Sequence, residues 1–279
     1  MNVKTALRNT LISASYASGA PAARNALRRL RGRSVTRIIA FHKVRDPDSF
    51  ERKVRTICRR FCPVSLQEYL DGGSRSAASV VMTFDDGYES WLRALPILRR
   101  HRVPAVFFVN SGYVDATERG AWADFCKRRL GCSPEPSVRW VDLRSLASDP
   151  LFTVGGHTMH HVSLGTAEPA LAHKEIREDK ERIEAALGRP ISFFAYPFGD
   201  PASLSAAAAR FVEEVGYRAA ATLMPGANTP STSPYLLHRD GLDDVSSPFL
   251  LNAWLSGAYD PLKAAQVGMC KLRPGRPAP

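Results

Sequence analysis

Short, continuously apolar runs recur along this chain, and most are followed by residues able to do chemistry. Arg37-Ile-Ile-Ala-Phe41 leads into His42, Val80-Val-Met-Thr-Phe84 into Asp85 and Asp86, and Pro104-Ala-Val-Phe-Phe-Val109 into Asn110. Leu151-Phe-Thr-Val-Gly155 reaches His157 after one further glycine, and Ile191-Ser-Phe-Phe-Ala-Tyr196 leads into Pro197-Phe198-Gly199. Tyr217-Arg-Ala-Ala-Ala-Thr222 is a weaker run of the same kind. A strand with one wet face alternates apolar and polar residues; loss of that alternation predicts strands covered on both faces, as in a parallel sheet.

Helical periodicity fills the gaps. From about Glu168 to Leu187, Ala172, Ile176, Ile183 and Leu187 share one face, and Gly188 followed by Pro190 is a stop signal. From about Ala202 to Val215, the stripe is Leu204, Ala208, Phe211, Val212 and Val215. A third helix follows Gly87 with Trp91, Leu92, Leu95 and Leu98, interrupted by Pro96. Alternating strands and helices predict an α/β fold with a mainly parallel sheet. An open doubly wound sheet and a closed barrel fit equally, although no glycine-rich phosphate-binding sequence follows any strand. In both, the residues after the strands meet at the carboxyl-terminal edge of the sheet, where active sites form.

The chain has 279 residues and a net charge of +11, which taken alone suggests nucleic acid or anionic lipid as a partner. The charge is not spread evenly. Before Ile38 stand Lys4, Arg8, Arg24, Arg28, Arg29, Arg31, Arg33 and Arg37 with no acid, and after Asp260 stand Lys263, Lys271, Arg273 and Arg276, again with none. The stretch between is close to neutral, so nucleic acid is not expected as a partner. The five cysteines match neither a zinc ribbon nor a disulfide framework, so free thiols are expected. No stretch is apolar enough for a membrane span, and Thr10 to Gly19 is too polar for a secretory signal core, so a cytoplasmic location is expected.

Asp85-Asp86-Gly87 is an ordinary turn sequence, yet two adjacent carboxylates closing a buried strand repel unless a cation or proton neutralises one. His157-Thr-Met-His-His161 supplies ligands for such a cation. If this segment is helical, His157 and His161 lie one turn apart on one face and chelate one metal. Two imidazoles and one carboxylate leave coordination positions open, as in a catalytic divalent site. Such a metal acidifies bound water and polarises a carbonyl, with the other aspartate free as general base, so amide or ester hydrolysis is the expected reaction.

Thr83-Phe-Asp-Asp-Gly87, His157-Thr-x-x-His161 and Phe194-Ala-Tyr-Pro-Phe-Gly199, in this order, resemble the polysaccharide deacetylase family, the NodB-homology domain of carbohydrate esterase family 4. Ile38-Ile-Ala-Phe-His-Lys-Val44 resembles the family's leading strand and Tyr-His-Arg-Val element, with Phe41 in place of Tyr. The resemblance implies a deformed (β/α) barrel, often seven-stranded, and a catalytic domain over residues 38–262, between a basic arm at 1–37 and a basic, Pro-rich tail at 263–279. It also implies roles: Asp85 as general base; Asp86, His157 and His161 as ligands of a divalent metal, zinc first and cobalt as an option. Tyr196, Pro197, Phe198, Gly199 and Arg239 then flank substrate, with the Phe198 N–H facing the oxyanion. The family's arginine shortly before Pro-x-Gly has no counterpart, because Phe193 and Phe194 stand there, and no tryptophan follows an aspartate. Leu236-Leu-His-Arg239 resembles both the late Leu-His element, making His238 one candidate general acid and His42 the second, and the Leu-Pro-Arg strand of members lacking that element, with Arg239 as the matched residue.

The implied partner is an acetylated sugar, oligosaccharide or polysaccharide, losing N-acetyl or O-acetyl groups. The alternatives are a non-catalytic carbohydrate binder on the same scaffold and an amidase acting on a non-sugar bond. Residues 1–37 also read as a basic amphipathic segment able to touch an anionic membrane surface, which places the protein at the inner face of the membrane.

Overall fold

Every apolar run becomes a strand in the computed structural model, which describes residues 3–30, 35–72, 78–243 and 247–260. The strands are β1 (Val35–Phe41), β2 (Cys62–Pro63), β3 (Ala78–Phe84), β4 (Ala105–Val109), β5 (Phe152–Gly156), β6 (Phe193–Ala195), β7 (Ala219–Ala221) and β8 (Asp240–Gly241). All pairings between them are parallel, in the order β7-β6-β5-β4-β3-β1-β8, with β2 beside β3. Closure comes from the chain around β8: Leu237 bridges to Ala221 of β7, and Asp240 and Gly241 pair with Ile39 and Ala40 of β1. The sheet is therefore a deformed barrel of seven principal strands, as the resemblance implies.

The helices are α1 (Val3–Ala17), α2 (Ala20–Leu30), α3 (Pro47–Cys58), α4 (Leu66–Leu70), α5 (Leu95–Arg100), α6 (Ser111–Asp115), α7 (Arg119–Phe125), α8 (Trp140–Ala147), α9 (Pro169–Leu187), α10 (Ala206–Glu214) and α11 (Pro248–Leu255). Strand residues alternate between two apolar clusters. Ile39, Phe41, Met82, Phe84, Phe107 and Phe194 face the helices, where Phe84 and Phe107 stack at 4.7 Å. Ile38, Val81, Phe108, Phe193 and Ala195 fill the smaller inner cluster. Both faces are thus dry, which explains the missing alternation in sequence.

Three local expectations change. The helix after Gly87 is a 3₁₀ turn (Glu89–Arg93) followed by α5, in which Pro96 sits in the first turn, where its missing N–H costs nothing. The helix expected from Ala202 begins at Ala206 because the Ser205 side chain caps it by accepting from the Ala208 N–H. The segment from His157 to His161 is not helical, and Thr158 and His161 take left-handed backbone angles (φ 61° and 52°). Other groups satisfy its backbone. Asn110 donates from its side chain to the His157 and Thr158 carbonyls, the Met159 N–H donates to the Glu175 carbonyl, and the His160 N–H to the Glu175 carboxylate.

Residues 3–30 form a helical hairpin against α11, with Ile12 completely buried. β1 opens at Val35, so the boundary expected at Ile38 falls inside the strand. Cys58, Cys62, Cys126 and Cys132 are free thiols, while Cys270 and the tail at 263–279 lie outside the described residues. Among the described residues, no helix is long and apolar enough to cross a membrane.

Candidate active site

Asp85 and Asp86 end β3 but face different partners, because Asp86 turns the chain through a left-handed conformation (φ 83°) that aspartate tolerates. Asp85 is clamped by Arg239, whose Nη1 donates to Oδ1 at 2.6 Å and Nη2 to Oδ2 at 2.7 Å. Arg239 is itself fully buried, with its remaining contacts on the Thr222 carbonyl and the Thr83 hydroxyl. Burial alone raises the Asp85 pKa; the guanidinium outweighs it and holds the carboxyl below the ordinary range. Arg239, expected to flank substrate, borders the cavity beside Asp85 with its guanidinium committed to that carboxylate.

Asp86 carries the ligand geometry. Its Oδ1 lies 3.5 Å from Nε2 of both His157 and His161, is buried and has no hydrogen-bond partner. The Nδ1 of His157 lies 2.7 Å from the Ala195 carbonyl and that of His161 lies 3.2 Å from the Arg129 carbonyl. If Nδ1 carries the proton that each carbonyl accepts, both Nε2 atoms are free to bind a cation. Ligand atoms of the three residues all lie within 4.8 Å of one another. An orphaned buried carboxylate oxygen between two such imidazoles fits a divalent metal. Burial pulls the His161 pKa down to about 4, and although burial also acts on Asp86, the histidines keep it ionised. The two histidines expected to chelate are thus brought together, by a loop instead of the expected helix.

Behind the ligands, Asp179 of α9 accepts the Ser111 N–H on Oδ1 and the His157 N–H on Oδ2, both at 2.9 Å. Burial pushes its pKa up to about 6. Gly156 makes this approach possible, since a Cβ there would collide with the Tyr217 hydroxyl and stand 2.9 Å from Asp179 Oδ2. Asp179 was absent from the expected site, although its position was legible: it lies midway between Ile176 and Ile183 on the buried stripe of α9.

Asp86, His157 and His161 open into a cavity of about 660 Å³, bordered by Phe41, His42, Tyr88, Phe198 and Asp243 among others. His42 Nδ1 lies 2.7 Å from Asp243 Oδ2, and its N–H donates to Oδ1. Burial opposes the imidazolium, but Asp243 prevails and lifts the His42 pKa to about 10. Asp243 carries no sequence signal, because nothing local marks it as the partner of a histidine 201 residues away. His238 does not line this cavity: Arg239 turns into the barrel, so its chain neighbour faces the other way, against Gly226. As general acid, His238 is set aside on this ground.

Phe198 stands at the rim, 48 % exposed, with its ring 4.6 Å from that of His161. Its backbone is left-handed (φ 61°), and its N–H donates to no protein group among the described residues. Tyr196 lines the cavity with its ring, while its hydroxyl donates to the Tyr235 carbonyl. Pro197 and Gly199 shape the turn without lining the cavity; the Gly199 carbonyl accepts the Leu223 N–H at 2.8 Å.

Comparison with known proteins agrees with this geometry. The family model "Polysaccharide deacetylase" matches residues 72–220, more than half of the chain. That span contains Asp85, Asp86, His157, His161 and the Pro197 turn, and excludes His42, Arg239 and Asp243. A chitooligosaccharide deacetylase of Bradyrhizobium sp. (strain ANU 289) is 30% identical over 128 residues, covering 45% of this chain and 48% of that protein. A poly-beta-1,6-N-acetyl-D-glucosamine N-deacetylase of Escherichia coli (strain K12) is 28% identical over 173 residues, 53% of this chain and 25% of that one. The chain thus spans half or less of the curated relatives it matches. Among solved structures, IcaB from Ammonifex degensii superimposes with a TM-score of 0.67 at 21% identity, over 80% of this chain and 97% of that one. The Streptococcus pyogenes deacetylase PplD, solved with acetate, gives 0.65 at 18%, over 80% and 99%. With the barrel, the ordered motifs and the family match in agreement, this chain belongs to the polysaccharide deacetylase family.

Proposed function

We propose that this protein is a metal-dependent hydrolase that removes acetyl groups, foremost N-acetyl, from an acetylated amino-sugar chain. The observation that carries this reading is the division of labour between adjacent aspartates: Asp86 faces two imidazole nitrogens while Asp85, beside it, is held ionised by Arg239. Asp86, His157 and His161 would hold the metal, with zinc or cobalt suited to this nitrogen and oxygen set. When bound, the metal supplies Lewis-acid polarisation of the acyl carbonyl and acidifies water.

The chain's own groups do the rest. Asp85 takes the proton of the attacking water. The Phe198 N–H donates to the oxygen on which negative charge develops. His42, kept protonated by Asp243, gives its proton to the departing amine. The names of the chitooligosaccharide and poly-N-acetylglucosamine relatives support a chain of acetylated glucosamine as substrate. A carbohydrate binder without catalysis has no use for an aspartate clamped beside its metal site.

Acetate release from N-acetylglucosamine oligomers and O-acetylated glycans, with zinc or cobalt added, tests the reading. Asp85→Asn is expected to retain bound metal and to lose acetate release by about a hundredfold or more. Turnover equal to that of the parent protein would show that Asp85 is not the base.

A further inference from the structure

The N-terminal hairpin is built the wrong way round for a helix whose only task is to cover the barrel. Beside the buried Pro21, α2 turns the polar Asn25 and Arg24 inward: Asn25 donates to the Ser256 carbonyl at 2.9 Å, and Arg24 to the Gly257 carbonyl. Its apolar residues Ala23, Ala26 and Leu27 are left exposed. α1 buries Ile12 and ties Ser15 to the Ala258 carbonyl, but exposes Leu11 and Ala14. On α11, Phe249 stands edge-on to Tyr16 at 5.3 Å and is also exposed. Leu11, Leu27 and Phe249, at 44%, 47% and 49%, make up half of the six large apolar side chains exposed among the described residues.

We propose that the α1–α2 hairpin together with Phe249 is a docking surface for an anionic lipid bilayer. Residues 1–33 hold seven basic residues and no acid; Arg24 faces Asp260, and the other six leave the exposed apolar face in a segment of one sign of charge. Shallow apolar insertion from a basic segment is the chemistry that holds amphipathic helices at anionic interfaces. A second copy of the chain fits poorly, because it would set two such segments of like charge against each other. Among the described residues no helix is long and apolar enough to cross a membrane, and the proposal is of docking at the surface.

The hairpin borders a second cavity with Val35 and Ala78, the first residues of β1 and β3, so it covers the amino-terminal end of the barrel. The metal residues follow the carboxyl-terminal ends of the strands. A docked protein therefore turns its catalytic mouth away from the lipid, by about 20 Å for a seven-residue strand.

Co-sedimentation of the full chain with vesicles tests this, using phosphatidylcholine alone or with about one third phosphatidylglycerol. The parent protein is expected to bind only the anionic vesicles and to release with added salt. The exposed triple variant Leu11→Glu, Leu27→Glu and Phe249→Glu is expected to bind about tenfold less or worse, with unchanged circular dichroism and melting temperature. Failure of the parent protein to bind anionic vesicles, or equal binding by the variant, overturns the proposal. So does a parent dimer in analytical ultracentrifugation that the variant splits, since that assigns the face to a second copy.

Discussion

Charge at single residues decides which group can do what. Asp85 and Asp86 differ because one meets a guanidinium and the other meets imidazoles, and burial makes each contact stronger than it is in water. His42 shows the same logic on a cation. Asp243 lifts its pKa to about 10, so the protonated, donating form persists to alkaline pH and is lost as pH rises through that value. Asp243→Asn removes the charge and returns the imidazole towards its ordinary value of 6.5. The alkaline limb of kcat is then expected to move to lower pH, measured as a pH profile of acetate release. A limb that stays in place removes His42 as the donor.

At the scale of elements, α9 sets the segments after two strands at once. Asp179 joins the turn after β4 to the end of β5 through the Ser111 and His157 N–H groups. Asp179→Ala leaves two buried donors without an acceptor, at about 1–3 kcal/mol each. It is also expected to weaken zinc binding by about tenfold or more, because His157 loses its backbone anchor. Zinc titration and urea unfolding check both effects, and unchanged zinc affinity would reduce Asp179 to a stability role. Since burial raises its pKa, Asp179 favours the fold most below its unfolded value of 3.8, and that contribution fades as pH rises through about 6. Asp179→Asn is expected to flatten this part of the stability profile. The turn at Gly199 is equally constrained. Its φ is 61°, and an added Cβ would run into the Leu223 backbone, so Gly199→Ala should displace Phe198 and lower kcat while zinc stays bound.

The whole barrel is closed by residues far apart in the chain. Arg37 on β1 binds Asp240 on β8 at 2.7 Å through Nη1 and Asp260 beyond α11 at 2.7 Å through Nη2. Arg37 and Asp240 are both buried. Arg37→Met leaves the Asp240 carboxylate in the interior without its cation, a loss of about 3–5 kcal/mol. A lower urea midpoint with an unchanged slope is the expected signature, and an unchanged midpoint would mean that the closure does not depend on this pair.

How much of this was legible in the chain follows from the range of each interaction. Continuous apolar runs, helix stripes and stop signals are local, so they placed the strands and α9 and put Asp85, Asp86, His157 and Phe198 just beyond strand ends. Tertiary structure alone decided that Arg239, 154 residues away, clamps Asp85, and that Asp243, 201 residues away, holds His42. It also decided that His161 reaches Asp86 from a left-handed loop, because Asn110 and Glu175 occupy the backbone groups that a helix would have used. Periodicity in sequence reports which face of an element is dry. Which side chains meet across the barrel depends on strand register and closure, and no local pattern encodes those.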